Sequence, residues 1–341
     1  PFLTPVPPLG SDFLAKVTLP IQYTLGIVRT TLVLVLLGLY VILVSGVCVI
    51  FAPIPQLHRI ASHLLTAVIA RVILLILGFF WISVEQVKRK RGTSRFNPIF
   101  VLPVSETMPQ STAPVNPSPP IAHTPGRTRT GTESANVQPP HKADTFPVAI
   151  LGFQPISLLT IVGLTGQVPP FGYMNSSNSK PPLSLESLRK NADRPIVIFP
   201  ECTTSNGRGL LRFAKVFRQE VPAKGYQVFV MCVRYDPPAS MTPTPTLSIP
   251  CSTFNPLPHL FSLASSIVPP TISIRLLAPS ESPSSPLFIV SEIITHSAFQ
   301  DDQLAEVSAV LISQLGKLKR IGMGWEDKAR FLNFYRDKRK L

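Results

Sequence analysis

Charged side chains are scarce in this chain of 341 residues: Asp, Glu, Lys and Arg make up only 15%, against 45% hydrophobic residues. Acidic residues are the scarcer kind, 18 against 32 Lys plus Arg, leaving a formal net charge of +14. A mean hydropathy of +0.28 is too oily for a nucleic-acid-binding protein, although a pI of about 10.0 would otherwise suggest one. Net positive charge with positive hydropathy fits a protein held at an anionic membrane surface, and argues against a purely soluble enzyme. Cysteine is sparse too. Cys48, Cys202, Cys232 and Cys251 show neither a CxxC pair nor zinc-ligand spacing, which argues against a metal site or a secreted disulfide scaffold. The excess is in proline, whose 38 residues are roughly twice the usual share of about 5%. Part of the chain is therefore non-helical linker. No internal repeat is present.

Residues 1–30 read as a lead-in that is Pro-rich at its start. Residues 31–52 (TLVLVLLGLYVILVSGVCVIFA) carry no charge and are long enough as a helix to cover the roughly 30 Å hydrocarbon core. Pro53 and Pro55 end it. A second apolar stretch, residues 64–84, contains Arg71. An Arg at the bilayer centre is costly, so either Arg71 snorkels from near an interface or the two stretches form a hairpin entering from one side. Trp81 and Phe79–Phe80 suit an interfacial belt. The run Lys88, Arg89, Lys90, Arg91 places the chain beyond residue 92 on the cytoplasmic side. Residues 31–91 are thus expected to be two membrane-associated helices with a basic flank.

Residues 92–107 begin an α/β domain with a strand-like run, FNPIFVLPV. Residues 108–147 are rich in Pro, Ser and Thr and are expected to be a disordered insert. The domain resumes over 148–341. Its pattern predicts a helix over 183–191 with Ser184 as N-cap, a buried strand over 196–199, a helix over 210–218 and a strand over 228–235. A strand over 288–295, a helix over 301–315 and a basic amphipathic helix over 326–340 complete it. The expected class is α/β, a mixed sheet flanked by helices, with an N-terminal membrane-embedded hairpin.

The chemistry concentrates in IVIFPECTTSNGRGLLRF, residues 196–213. A buried strand leads into a polar loop and then an expected helix. Loops at strand C-termini form ligand crevices, and helix N-termini favour anions. Glu201, Thr203, Thr204 and Arg208 are the candidate phosphate-binding residues. Arg208 supplies a bidentate fork, Glu201 is placed to hold a hydroxyl or that Arg, and Gly207 and Gly209 allow close backbone approach.

FPECTTSNGRG resembles the Phe-Pro-Glu-Gly-Thr block of the glycerolipid (lysophospholipid) acyltransferases, with Cys202 in place of the usual Gly, a variation associated with a fungal-type branch similar to lysophosphatidate acyltransferases. The resemblance implies that Glu201 and Arg208 engage the glycerol-phosphate of a lysophospholipid. It implies acyl-CoA as co-substrate, no bound cofactor or metal, and residence in the endoplasmic reticulum or on lipid droplets. Two departures stand out. The family's His-x4-Asp block, whose His is the general base, is missing upstream of Phe96, where residues 88–95 are KRKRGTSR. The usual Arg of the second block is missing near Gly166. A His-x4-Asp string does occur at His296 and Asp301, but after the loop, the reverse of the family order. It reads as a strand-end His followed by an Asp capping a helix. His58, His63, His123, His141 and His259 read as loop or interface residues. Either a segment was lost between Arg91 and Phe96, for example through a skipped exon, or the chain is an inactive relative.

Three functions are therefore open. They are an acyl-CoA-dependent acyltransferase acting on lysophosphatidate, a catalytically inactive membrane-anchored lipid-binding scaffold, and a polybasic adaptor binding anionic lipid through residues 88–91 and 316–340. Membrane lipid is the expected partner in each, and nucleic acid in none.

Overall fold

The computed structural model describes residues 1–3, 12–47, 54–87, 99–105, 148, 150–169, 183–192, 194–218, 221, 223, 225–239, 241–286, 288–290, 293 and 302–340. Helix α1 runs Asp12–Ile42 and continues as a π-helical turn over Leu43–Val47. Residues 12–30 are thus helix, not lead-in. The uncharged stretch begins at 31, just past Arg29. In the fold Arg29 Nη1 donates to the carbonyls of Ser266 (2.8 Å) and Ala264 (3.4 Å), so its charge has a protein partner and the helix passes through it.

Helix α2 runs Pro55–Ile76, with proline in its first turn, where the missing N–H costs nothing. Gly78, at φ +94°, ends the helix and turns the chain into strand β1, Ile82–Val87. The second apolar stretch is therefore not one helix to residue 84: its β-branched end is a strand. Val17–Ile42 and Gln56–Ile76, with mean hydropathies of 2.3 and 1.8, are each long and apolar enough to cross a membrane. Only 17% and 6% of their apolar windows are buried, which sets them apart from core helices. Arg71 is exposed, and its Nη2 donates to the Phe80 carbonyl at 3.1 Å, just past the helix end. Residues 48–53, the basic run 88–91 and all of 108–147 lie outside the described residues.

The remaining elements are strands β2 (Ile99–Ser105) and β3 (Ile150–Ile156), helices α3 (Leu158–Gly163) and α4 (Leu185–Asn191), and strands β4 (Ile196–Ile198), β5 (Gly209–Leu210) and β6 (Met231–Tyr235). Then come α5 (Leu257–Ala264), β7 (Ile272–Leu277), α6 (Gln303–Gly316), β8 (Lys319–Arg320) and α7 (Trp325–Lys340). The α/β expectation holds, but the strands form three small sheets instead of one. β7 lies between parallel β1 and antiparallel β6, β2 lies between antiparallel β3 and parallel β4, and β5 pairs with β8 in parallel. Ser184 caps α4 as expected, its hydroxyl accepting from Ser187 N.

Three apolar clusters hold these pieces. Val230, Cys232 and Leu277 pack under Leu304, Val307, Leu311 and Leu315 of α6. Ile150, Phe153, Cys202, Ala214 and Val216 surround Trp325. Val33 of α1 meets Leu77, Phe79 and Ala264, joining both apolar helices to α5. Helix α6 begins at Gln303, capped by Asp302 rather than Asp301. Residues 288–290 and 293 are not in a strand.

Candidate functional site

Strand β4 ends at Ile198, and residues 200–208 leave its C-terminal end as a polar loop. The segment after the loop is not the expected helix. Residues 209–210 pair with β8, and 211–218 run on as irregular backbone, so the loop does not lead into a helix N-terminus. The reason lies in residues 209–212, whose backbone is claimed by the segment before α7. Ile321 N donates to the Leu210 carbonyl (2.8 Å), and Arg212 N donates to the Met323 carbonyl (2.9 Å). Any anion binding must therefore rest on side chains and loop amides.

Within the loop, Cys202 has φ 56° and Gly207 φ +73°, both in the left-handed region that glycine tolerates best. Cys202 is buried, and burial raises its thiol pKa, which keeps it protonated. Glu201 turns inward: its Oε1 accepts from Leu211 N at 3.2 Å, closing the loop across its base. Burial pushes the Glu201 carboxyl up to about 7, against the lowering effects of that hydrogen bond and of Lys328. Thr203 Oγ1 donates to the Gln167 carbonyl at 2.7 Å, and Thr204 Oγ1 to the Leu247 carbonyl at 2.5 Å. Those two hydroxyls are struts of the loop. Arg208 differs: its residue is exposed, and its guanidinium has no partner among the described residues.

The sequence reading missed Lys328, which no motif marks. Its Nζ donates to Thr203 Oγ1 (2.8 Å) and to the Thr204 carbonyl (2.7 Å), from a side chain 0% exposed. A signal was present: Trp325, Lys328, Ala329 and Leu332 share one stripe at helical spacing, and all four are buried. Burial also holds the Lys328 ammonium down to about 7, partly offset by Glu201. Asn206 adds a contact from the far end of the chain. Its N–H donates to the Pro1 carbonyl (2.9 Å) and its side-chain amide to the Leu3 carbonyl (3.2 Å). Phe2, buried, lies 5.8 Å from the Phe331 ring of α7.

A strap connects the loop to the apolar helices. Leu247 accepts from Thr204, and Asn255 Nδ2 donates to the Gly163 and Thr165 carbonyls (2.8 and 2.9 Å) just before Gln167. Asn255 precedes α5, which packs on α1 through Phe261 against Gly26 and Tyr23. On the same strap, His259 Nε2 lies 3.2 Å from the Pro245 carbonyl, and burial lowers its pKa. His296 and Asp301 lie outside the described residues.

Away from the loop, a cavity of about 480 Å³ is lined by Glu85, Arg275, Glu281, Leu311 and Lys317 among others. Among the described residues no group of three or more His, Cys, Asp and Glu is placed to hold a metal ion. No protein-family model matches the chain, and no curated protein or solved structure matches it.

Proposed function

We propose that this protein is a membrane-held glycerolipid acyltransferase whose acceptor, a lysophospholipid and most simply lysophosphatidate, docks its phosphate on the 200–208 loop. The observation that carries this reading is the backbone of Cys202. The acyltransferase block has glycine at this point, and Cys202 takes the left-handed conformation that glycine serves, at φ 56°. The loop is thus folded as a glycine-containing turn would be, although the residue is not glycine. Arg208, exposed beside Gly207, offers a guanidinium fork to a phosphate. Two poorly buried apolar helices, tied through α5 and its strap to this loop, support a site beside a bilayer.

In the reaction, the acceptor hydroxyl attacks the thioester carbonyl of acyl-CoA. The ester C–O bond forms, the C–S bond breaks, and the hydroxyl proton ends on the departing CoA sulfur. Arg208 contributes placement, by holding the phosphate so that the hydroxyl faces the thioester. Glu201 acts from within, closing the loop that presents Arg208. The α/β part is cytosolic in this reading, at the endoplasmic reticulum or a lipid droplet, with acyl-CoA as co-substrate and no bound cofactor.

A second reading is favoured by one observation: the family's His-x4-Asp block is absent between the second apolar helix and Phe96. A chain without its base would bind the lysophospholipid and transfer nothing. One experiment separates the two. Purified protein in phosphatidylcholine vesicles is given labelled oleoyl-CoA and lysophosphatidate, and labelled phosphatidate is measured. Transfer is expected to fall about ten- to hundredfold in Arg208→Ala, the ~1.5–3 kcal/mol of a charge-assisted hydrogen bond. Turnover no higher than that of Arg208→Ala defeats the enzyme reading, and saturable lysophosphatidate binding without turnover supports the scaffold.

A further inference from the structure

The loop that carries Arg208 is shaped from outside its own strand. Lys328, in the first turn of α7, reaches under it, donating to Thr203 Oγ1 (2.8 Å) and the Thr204 carbonyl (2.7 Å), with Thr204 Oγ1 at 3.5 Å. The Glu201 carboxyl of the same loop adds an electrostatic pull that partly offsets the effect of burial on this ammonium. These contacts bear on consecutive residues just before the turn at Gly207 that sets the direction of Arg208. The base of α7 is itself fastened to the loop's exit. Arg212 Nη2 pairs with the buried Glu326 Oε2 at 3.2 Å, and Gly324 packs so closely that a Cβ there would lie 2.5 Å from the same oxygen. Asp327 accepts from Gly324 N at 2.8 Å, which fixes the start of the helix.

Burying an ammonium completely costs several kcal/mol unless every donor is matched. An apolar side chain of similar length would fill the same space without that cost. What it would not do is grip the Thr203 hydroxyl and the Thr204 carbonyl of one loop at a single point. We infer that Lys328 is a positioning residue for the headgroup site, fixing Thr203 and Thr204 so that Arg208, four residues on, faces an incoming phosphate monoester. The first turn of α7 therefore belongs to the acceptor-binding unit. The inference rests on the reading of the loop as a lysophospholipid site.

The test uses the full chain in phosphatidylcholine vesicles carrying either lysophosphatidate or lysophosphatidylcholine. Wild type is expected to prefer lysophosphatidate. Lys328→Met is expected to lose about tenfold of that preference, the loss of roughly one hydrogen bond to a charged group, while its binding to phosphatidylserine vesicles through exposed basic residues stays unchanged. The double variant Glu201→Gln/Lys328→Met removes both buried charges, so a fold weakened by an unpaired carboxylate recovers but the preference does not. A folded Lys328 variant with wild-type preference overturns the inference. Wild type without any preference overturns the lysophospholipid reading instead, and the inference falls with it. Hydrogen exchange on wild type needs no variant. Lysophosphatidate is expected to protect the amides of 203–208 and those of 325–329 together, and protection of the loop alone counts against Lys328.

Discussion

At Cys202 two demands meet, since the backbone there favours glycine while the cluster around Trp325 uses a side chain. A φ of 56° in a non-glycine residue costs on the order of 1–2 kcal/mol, and the buried Sγ offsets part of it by filling space beside Ile150 and Phe153. Glu201, next to it, carries a different penalty. Its folded pKa, raised to about 7 by burial, lies above the unfolded value of 4.5, so the folded chain keeps a proton that the unfolded chain releases. Stability from this group is full below about pH 4.5 and is lost as pH rises through 7. Lys328 runs the other way: its pKa, lowered to about 7 from 10.5, makes stability rise between those values as the unfolded chain holds the extra proton. Glu201→Gln is therefore expected to flatten the fall in melting temperature between pH 4.5 and 7, as read by thermal unfolding in detergent. An unchanged pH slope would show that the carboxyl is not buried as described.

Among the elements, α6 depends on its cap. Asp302, itself buried, accepts from Ala305 N (3.1 Å) and from Phe217 N (2.9 Å), so it caps the start of α6 and anchors the irregular 211–218 segment. Asp302→Ala is expected to cost about 2 kcal/mol by denaturant unfolding, with Asp302→Asn losing less. The cap was legible in the sequence to within a residue, and α4 with Ser184, β4, β6 and α7 were legible as elements, β6 starting three residues later than expected, because each carries a local pattern of period or cap. The expected helix at 210–218 failed for a non-local reason: the backbone at its start is paired with residues 319–323, far along the chain, and Phe217 N is held by Asp302. The end of the second apolar stretch failed similarly, as residues 82–87 pair with β7, almost two hundred positions later. Of the site, the loop and the exposed Arg208 could be read from composition. The inward turn of Glu201 and the struts of Thr203 and Thr204 could not, because their partners Leu211, Gln167 and Leu247 are set by folding. Lys328 looked like one more base on a basic helix until its stripe was seen to be buried.

On the scale of the whole molecule, the apolar helices are built into the α/β part. Gly26 of α1 sits where a Cβ would come within 3.1 Å of the Phe261 ring and of Ser265, and Arg29 grips the end of α5 one turn further on. Gly26→Val is expected to push α1 off α5 at a cost of about 1–3 kcal/mol. Hydrogen exchange is expected to rise in α5 while α6, which lies in a separate cluster, keeps its protection. Equal loss in both would mean that the clusters melt as one. The second attachment is shorter still. Only residues 77–81 separate α2 from β1, and β1 is locked in parallel register to β7 from Ile82 to Val87. Five residues reach at most about 18 Å even when fully extended, and here Gly78 folds them back. If α2 lies in lipid, the sheet has no tether on which to swing away: its height above the hydrocarbon is fixed to within a few residues' reach. A domain held in that way would meet molecules of the leaflet by their lateral drift.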